Sequence, residues 1–356
     1  MIDTYEVIII GGGQAGLAMA YALKQQNTHY VILDENEKPG ASWEQRYDSL
    51  TLFTPRNYST LYEYNIEGEP KGFPSKGEVA LYLQKFVTEN GLSIRHNEKV
   101  LNVTKNKNNT FSIESESDTY VANQLVVATG AFHDPFIPNI HDQTIPFMIH
   151  SSEYKNSNQV PEGKVLVVGS GNTGVQIAAE LSHSHDVILS SSNKIKNIPN
   201  HIVGKSLFWW LDVLGISKAT PHSLVGKFLQ KRDPIIGNDY KRVEKEVKMV
   251  SRVMKVERGK SYFQKDRPIE INSIIWATGF RNRYDWIHIE GVIDSKGKPI
   301  HTFGESTVKG LYFIGLSWQS RRSSALIYGV EKDANYVAQL AMKRQNSKKL
   351  NNRGAL

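Results

Sequence analysis

Apolar residues in this chain gather in short unbroken runs, each followed by a glycine cluster and then by a stretch with helical spacing. Val7-Ile8-Ile9-Ile10 is the first such run, and continuous β-branched residues predict a parallel strand buried on both faces. Gly11-Gly12-Gly13-Gln14-Ala15-Gly16 comes next, and residues 17–24, rich in Ala, Leu and Met, predict a helix. Tyr30-Val31-Ile32-Leu33 predicts the following strand, which ends in Asp34 and Glu35. The order then returns. Lys164-Val165-Leu166-Val167-Val168 leads into Gly169-Ser170-Gly171-Asn172-Thr173-Gly174, a helix over 175–181, and a strand Asp186-Val187-Ile188-Leu189. Each unit is followed by a meander-like stretch (residues 99–115 and 252–264) and an Ala-Thr-Gly triplet ending at Gly130 or Gly279. The spans from Gly16 to Gly130 and from Gly174 to Gly279 are nearly equal, so internal duplication organises the chain.

Each glycine turn has the composition of a phosphate cradle. Gly11 and Gly169 permit the tight turn, and Gly13 and Gly171 let a pyrophosphate approach the backbone. Gly16 and Gly174 let helix and strand pack closely, while Gln14, Ala15, Ser170, Asn172 and Thr173 present the N–H groups of the turn and helix start. In the first copy an acid at the end of the second strand accepts hydrogen bonds from an adenosine ribose. Asp34 aligns better with that place, and Glu35 is the alternative. Two dinucleotide sites on one chain imply one prosthetic and one exchanging cofactor, the pairing needed for hydride transfer from a nicotinamide to a flavin. Ala128-Thr129-Gly130 and Ala277-Thr278-Gly279 then mark two crossings between domains, with Thr129, Gly130, Thr278 and Gly279 either touching a cofactor or simply ending strands.

A length of 356 residues favours two packed domains. With 40% hydrophobic and 22% charged residues the chain is globular in composition. It has no cysteine, which excludes disulfides, thiolate metal sites and any dithiol relay of the thioredoxin-reductase kind. The formal charge is +7, and residues 227–268 carry an excess that accounts for all of it, leaving a basic tail over 343–353 balanced elsewhere. No nucleic-acid-binding motif accompanies this excess, so it reads as a solvated face or as attraction for a phosphate-bearing cofactor. Residues 7–23 are uncharged, yet Asp3 and Glu6 precede them and three glycines interrupt them, unlike a signal peptide. No integral membrane segment, no nucleic-acid partner and a cytoplasmic location are expected, and a homodimer is left open. The histidines show no metal spacing, so no metal site is expected.

The chain resembles the small bacterial flavin-containing monooxygenases, near the CzcD-associated (CzcO-like) flavoproteins and more distantly the plant YUCCA enzymes. The resemblance spans essentially the full length. It rests on the first glycine motif, residues 39–43 and 46–56, residues 150–154, the second glycine motif, and residues 207–212, 276–280 and 310–319. It implies an α/β fold of two dinucleotide-binding, Rossmann-like domains in a glutathione-reductase-like arrangement. The NAD(P)H-binding domain (142–277) interrupts an FAD-binding domain (1–141 and 278–356). It also implies FAD reduced by NADPH or NADH, then reaction with O2 to a C4a-hydroperoxide that oxygenates a small molecule at sulfur, nitrogen or a carbonyl. In the family the nicotinamide stays bound and shields that species. Gly40, Ser42, Trp43, Arg46, Tyr47, Leu52, Val100 and Gly315 are further cofactor candidates, as are Ala325 and Leu326 near a helix expected over 324–342, whose N-terminus would face the flavin. Phe53, Thr54, Gln319 and Arg322 are the candidate catalytic residues.

Three departures from the family pattern bear on chemistry. Thr144 and Pro146 stand where the fingerprint ahead of His150 and Tyr154 has Phe and Gly. Phe53 replaces an asparagine of larger relatives, removing a donor that could steady a peroxide and keeping alive a reductase or oxidase that oxygenates nothing. Ser191, Ser192 and Lys194 follow the second strand of the nicotinamide unit without an arginine to grip a 2′-phosphate or an acid to repel it, so NADPH and NADH both remain open. A flavin-holding accessory of a cation exporter is a third reading. Phe208, Trp209 and Trp210 lie in an amphipathic stretch with Leu207, Leu211 and Leu214, suited to interdomain packing, a substrate entrance or a membrane surface.

Overall fold

The computed structural model describes residues 3–230 and 234–353; Lys231, Arg232 and Asp233 of the basic segment lie outside the described residues. The buried aliphatic runs become the central strands of two sheets. In the first, Asp3–Ile10 pairs in parallel with Tyr30–Leu33 on one side and Thr119–Val127 on the other. Ile94–Arg95 extends it past Tyr30–Leu33, and Leu311–Phe313 extends it past Thr119–Val127. In the second, Lys164–Val168 pairs in parallel with Asp186–Ser190 and with Ser273–Trp276; Lys248–Val250 and Phe147–His150 form the flanks. The two sheets share the order of four strands; the fifth, Leu311–Phe313, comes last in its unit, whereas Phe147–His150 comes first in the other, and the second sheet is inserted in the chain between Thr119–Val127 and Leu311–Phe313.

Each sheet is covered on both faces. Helices Gln14–Gln25, Lys76–Asn90 and Ile327–Arg353 pack one face of the first sheet through Leu17, Met19, Leu83, Phe86, Val330 and Val337. The meander Val100–Lys105 and Phe111–Ser115 covers the other, with Val103, Phe111, Ile113 and Val292 buried beneath it. Helices Asn172–Leu181 and Asp239–Glu246 cover the second sheet, and Trp276, fully buried, anchors its opposite face under a second meander, Val253–Glu257 with Lys260–Phe263. Burial on both faces is why these strands read as continuous apolar runs.

Two elements differ from the sequence expectation. The last helix runs Ile327–Arg353 and not over 324–342. Ser324 Oγ accepts from the N–H groups of Ser320 and Arg321, each at 3.1 Å, so it closes a turn ahead of the helix and leaves Ala325 and Leu326 outside it. The far end continues because residues 343–353 contain neither Gly nor Pro and many good helix formers. Helix Leu207–Val213 stops one residue short of Leu214, which is 63% exposed, while Leu207 and Leu211 are buried.

A Cβ at Gly174 would fall 1.9 Å from the Gly169 carbonyl oxygen, and that oxygen belongs to backbone that cannot move aside. Gly174→Ala is expected to lower unfolding free energy by about 3 kcal/mol, read as a lower urea midpoint at unchanged slope.

Candidate active site

The two glycine turns adopt one geometry. Gly11 (φ +104°) and Gly169 (φ +110°) occupy left-handed backbone, and a side chain at either would strike the Ala128 or Ala277 carbonyl. Gly16 and Gly174 lie inside the first helical turn, where a Cβ would meet the Gly11 or Gly169 oxygen. The middle glycines behave differently. A Cβ on Gly13 or Gly171 meets nothing within 4 Å, so the space beside them is open. Gly13 and Gly171 are also the N-caps of their helices, and neither helix has a side-chain cap. The first N–H groups (Gln14, Ala15 and Gly16; Asn172, Thr173 and Gly174) thus face an open cradle at the positive end of a helix, a fit for a pyrophosphate.

At the first turn Asp34 is 6% exposed, and its Oδ2 would lie 2.5 Å from a Cβ on Gly12. Asn36 Nδ2 donates to Asp34 Oδ1 at 3.0 Å and fixes the carboxylate. Glu35 is exposed, so the geometry brings Asp34 and not Glu35 to the cradle. Gly315 (φ +81°) approaches Ala15 so closely that its Cβ would meet the Ala15 methyl at 2.6 Å. Gly40 (φ +78°) caps the short helix Ala41–Glu44 against the Ala80 carbonyl, with Trp43 and Leu52 packed on the same core as the first helix. Val100 stands apart: it heads the meander and packs into the core on the other face of the sheet.

At the second turn Ser170 and Ser191 share a 2.6 Å hydrogen bond, while Ser192 and Lys194 are exposed. Parallel pairing of Ser190 with Val250 and the bond from Ser191 N–H to the Val250 carbonyl bring Arg252 to the same edge. Sequence reading missed Arg252, because it lies far along the chain and only the sheet makes it a neighbour. Asn172 Oδ1 accepts from the Ile236 N–H at 3.1 Å and holds the segment that passes over this turn.

The two crossings meet. Asp134–Pro135 pairs antiparallel with Phe280–Arg281, Phe136 N–H donates to the Gly279 carbonyl at 3.0 Å, and Thr278 Oγ1 donates to the Phe136 carbonyl. Gly130 and Gly279 have the same φ of +78°. Arg46 lies 4.2 Å from the Phe132 ring and 5.7 Å from the Phe280 ring, and these rings contact edge-on. His150 is fully buried. Its Nδ1 accepts from the Ser152 N–H at 3.1 Å, so the proton sits on Nε2, which donates to the Gly279 carbonyl at 3.0 Å. Burial pushes the His150 pKa down, with Arg46 nearby adding to the effect and the Gly279 carbonyl and Glu153 opposing it. Tyr47, expected beside a flavin, is instead buried in the core of the second sheet, where its hydroxyl donates to Gln176 Oε1. Burying the ring there removes apolar surface from water while the hydroxyl keeps a hydrogen-bond partner.

An aromatic nest joins the two units. Phe53 stacks on Phe208 at 6.1 Å, and Tyr58 and Tyr328 pack on Phe208 at 5.8 and 6.2 Å, with Leu326 at the margin. Phe208 is therefore packing between segments, while Trp210 Nε1 donates to the Ile202 carbonyl at 2.9 Å. Thr54 is buried with its hydroxyl engaged by Ser59 at 2.7 Å. Gln319 is 2% exposed; its Oε1 accepts from Leu316 N–H, and its Nε2 is a buried donor with no partner. Trp318 beside it has φ +59°, unusual for so bulky a residue. Arg322 is half-buried and donates its backbone N–H to the Ala219 carbonyl at 3.0 Å, tying this loop to the second unit. Ser42 is exposed, and its carbonyl accepts from Arg46 Nε at 3.2 Å.

The chain matches the pyridine nucleotide-disulphide oxidoreductase family over residues 8–204. It is 46% identical to the uncharacterized oxidoreductase CzcO of Bacillus subtilis, across 94% of this chain and 98% of that protein. It is 26% identical to the probable indole-3-pyruvate monooxygenase YUCCA3 of Arabidopsis thaliana, across 93% of this chain and 85% of the relative. Among solved structures, the flavin-containing monooxygenase of Stenotrophomonas maltophilia is similar in fold, with a TM-score of 0.82 at 21% identity over 96% of this chain and 99% of that one.

Because the space beside the middle glycines is empty of protein, Gly13→Ala and Gly171→Ala are expected to leave the melting temperature of the ligand-free protein nearly unchanged. Each should nonetheless weaken its own dinucleotide at least tenfold, read by separate titrations. Loss of stability without loss of affinity would contradict the cradle geometry. For His150, whose folded pKa is depressed, the neutral ring contributes its full stability above the unfolded value of about 6.5. That contribution is lost as pH falls from there toward the folded pKa. His150→Asn is expected to flatten the decline in thermal stability as pH falls below about 6.5.

Proposed function

For a chain that belongs to the pyridine nucleotide-disulphide oxidoreductase family, we propose an FAD-dependent oxidoreductase that consumes NADPH or NADH and oxygenates a small organic molecule. The observation that carries this reading is the pair of uncapped glycine cradles of one geometry, joined by crossings that touch. The FAD-binding unit comprises residues 1–141 and 278–356, and the nicotinamide-binding unit residues 142–277. The first cradle, with Asp34 at its edge, holds FAD; the second holds the nicotinamide dinucleotide. Bound FAD supplies the capacity to accept a hydride from a nicotinamide and to react with dioxygen.

The residues of the chain do the rest. The N–H groups of Gln14, Ala15 and Gly16 bind the FAD pyrophosphate, and those of Asn172, Thr173 and Gly174 bind that of the nicotinamide cofactor. Gln319 Oε1 accepts from the Leu316 N–H and would fix the loop that brings Gly315 beside the first cradle. Arg46 and His150 hold both crossings in one place, which keeps the two ring sites in register. Arg252 and Lys194 put positive charge at the adenosine end of the second site and favour NADPH. Phe53, Phe208 and Leu326 form an apolar wall that excludes water. In the balanced reaction NAD(P)H, a proton, O2 and substrate yield NAD(P)+, water and oxygenated substrate.

Phe53 favours a second reading. It presents a ring stacked on Phe208 and no hydrogen-bond donor, so electrons would pass to oxygen as hydrogen peroxide without oxygenation. Anaerobic reduction of the yellow protein by NADPH and by NADH, followed by stopped-flow mixing with oxygen, separates the two. A transient absorbing between the reduced and oxidised forms is the expected result. Direct return to the oxidised spectrum with one peroxide per NADPH would establish the oxidase instead.

A further inference from the structure

A groove of about 790 Å³ lies at neither cradle. Strand Leu311–Phe313 leaves the groove at Lys309 and runs toward Gly315, which touches Ala15 of the first turn. The groove thus opens at the entry ends of the parallel strands, roughly 10–20 Å from the cradle at their exit ends. Lys105 from the meander, Lys309 from the loop before this strand, and Arg344 and Lys348 from the last helix all line it. Glu290 is the one carboxylate among the lining residues.

Two of these cations, Lys105 and Lys348, are held by neutral acceptors. Lys105 Nζ donates to the Lys309 carbonyl at 3.4 Å and lies 5.6 Å from the Phe111 ring. Lys348 Nζ donates to Asn123 Oδ1 at 3.3 Å. Arg344 Nε is buried without a partner, and a Cβ on Gly310 would lie 2.9 Å from it. Among the described residues, the ion pairs include none of the four. Arg344 and Lys348 stand at i and i+4 on one helix, a like-charge spacing that works against the helix itself. Burial and mutual repulsion push the Lys105 pKa down; burial and Arg344 do the same to Lys348, against Glu6. A cluster that repels itself this way is stabilised by an added anion.

We propose that this groove binds a soluble small molecule carrying two or more phosphate groups. A groove of about 790 Å³ lined by four cations from three separate elements has room for more than one phosphate group, and an arginine fork with lysine point charges is the donor set for phosphate oxygens. The site does not depend on the redox reading, because neither glycine turn contributes to it.

The test titrates the purified protein, with its flavin and saturating NADP+, with inorganic tripolyphosphate by calorimetry at low salt. One tripolyphosphate per chain is expected. The double variant R344Q/K348Q should bind it at least tenfold more weakly while its rate of reduction by NADPH stays unchanged. Should that variant fail to fold, K105Q/K309Q on the facing wall carries the same expectation. Undiminished affinity in a folded variant would overturn the proposal, and so would absence of binding to the wild type. Capture by phosphatidylglycerol vesicles without binding of tripolyphosphate would also overturn it, marking the face as a lipid-surface contact. A colourless preparation would count against the redox reading alone, since comparing wild type with variants still isolates the groove.

Discussion

In both glycine turns, the third glycine sits against the carbonyl oxygen of the first, and no side chain fits between them. That approach presses each helix onto the strand before it and aims its uncapped N-terminus across the carboxyl edge of the sheet. Partial positive charge and free N–H groups then converge where the middle glycine leaves open space. A cap on either helix, or a side chain on the middle glycine, would satisfy the protein internally and close the site to phosphate. The fit of each turn to an anion is thus a consequence of leaving these polar groups unsatisfied by protein.

Two such cradles can cooperate only if the units that carry them keep a defined relation. The connection is not a pair of loose linkers. The crossings form a short antiparallel ribbon, with Arg46 over their aromatic residues and His150 hydrogen-bonded to Gly279. Tyr47 adds a buried peg from the first unit into the core of the second, and Asp48 N–H donates to the Lys155 carbonyl at 2.7 Å. Ser49 bonds Glu180 at 2.5 Å in the same seam. The cost of placing a neutral histidine in this seam is small because both ring nitrogens find backbone partners. The aromatic nest around Phe208 is a separate contact, built from Phe53, Tyr58, Leu326 and Tyr328.

The strands, the turns and the duplication were legible along the chain because each depends on local chemistry. Runs such as Val7 to Ile10 have one stable environment, between two covered faces, and a Gly-x-Gly-x-x-Gly spacing has few backbone solutions. Gly315, far along the chain from Ala15, also proved to be a neighbour of the first turn. Side-chain destinations were less legible. Tyr47 lies within a few residues of Trp43 yet enters a different core, and Val100 faces the meander side of the sheet while Asp34 reaches the cradle.

What the sequence determined by itself was the kind of site: two glycine turns with the composition of phosphate cradles on parallel sheets, in a chain without cysteine. What the tertiary structure decided was which residues stand beside those turns. Pairing of Ser190 with Val250 brought Arg252 to the edge of the second turn, and a turn closed by Ser324 delayed the last helix. The grouping of Lys105, Lys309, Arg344 and Lys348 around one groove came from the tertiary structure as well. The reason is physical. Backbone preferences act over a few residues and can be read in order, whereas charge and packing act through space between segments that only the folded sheet makes adjacent.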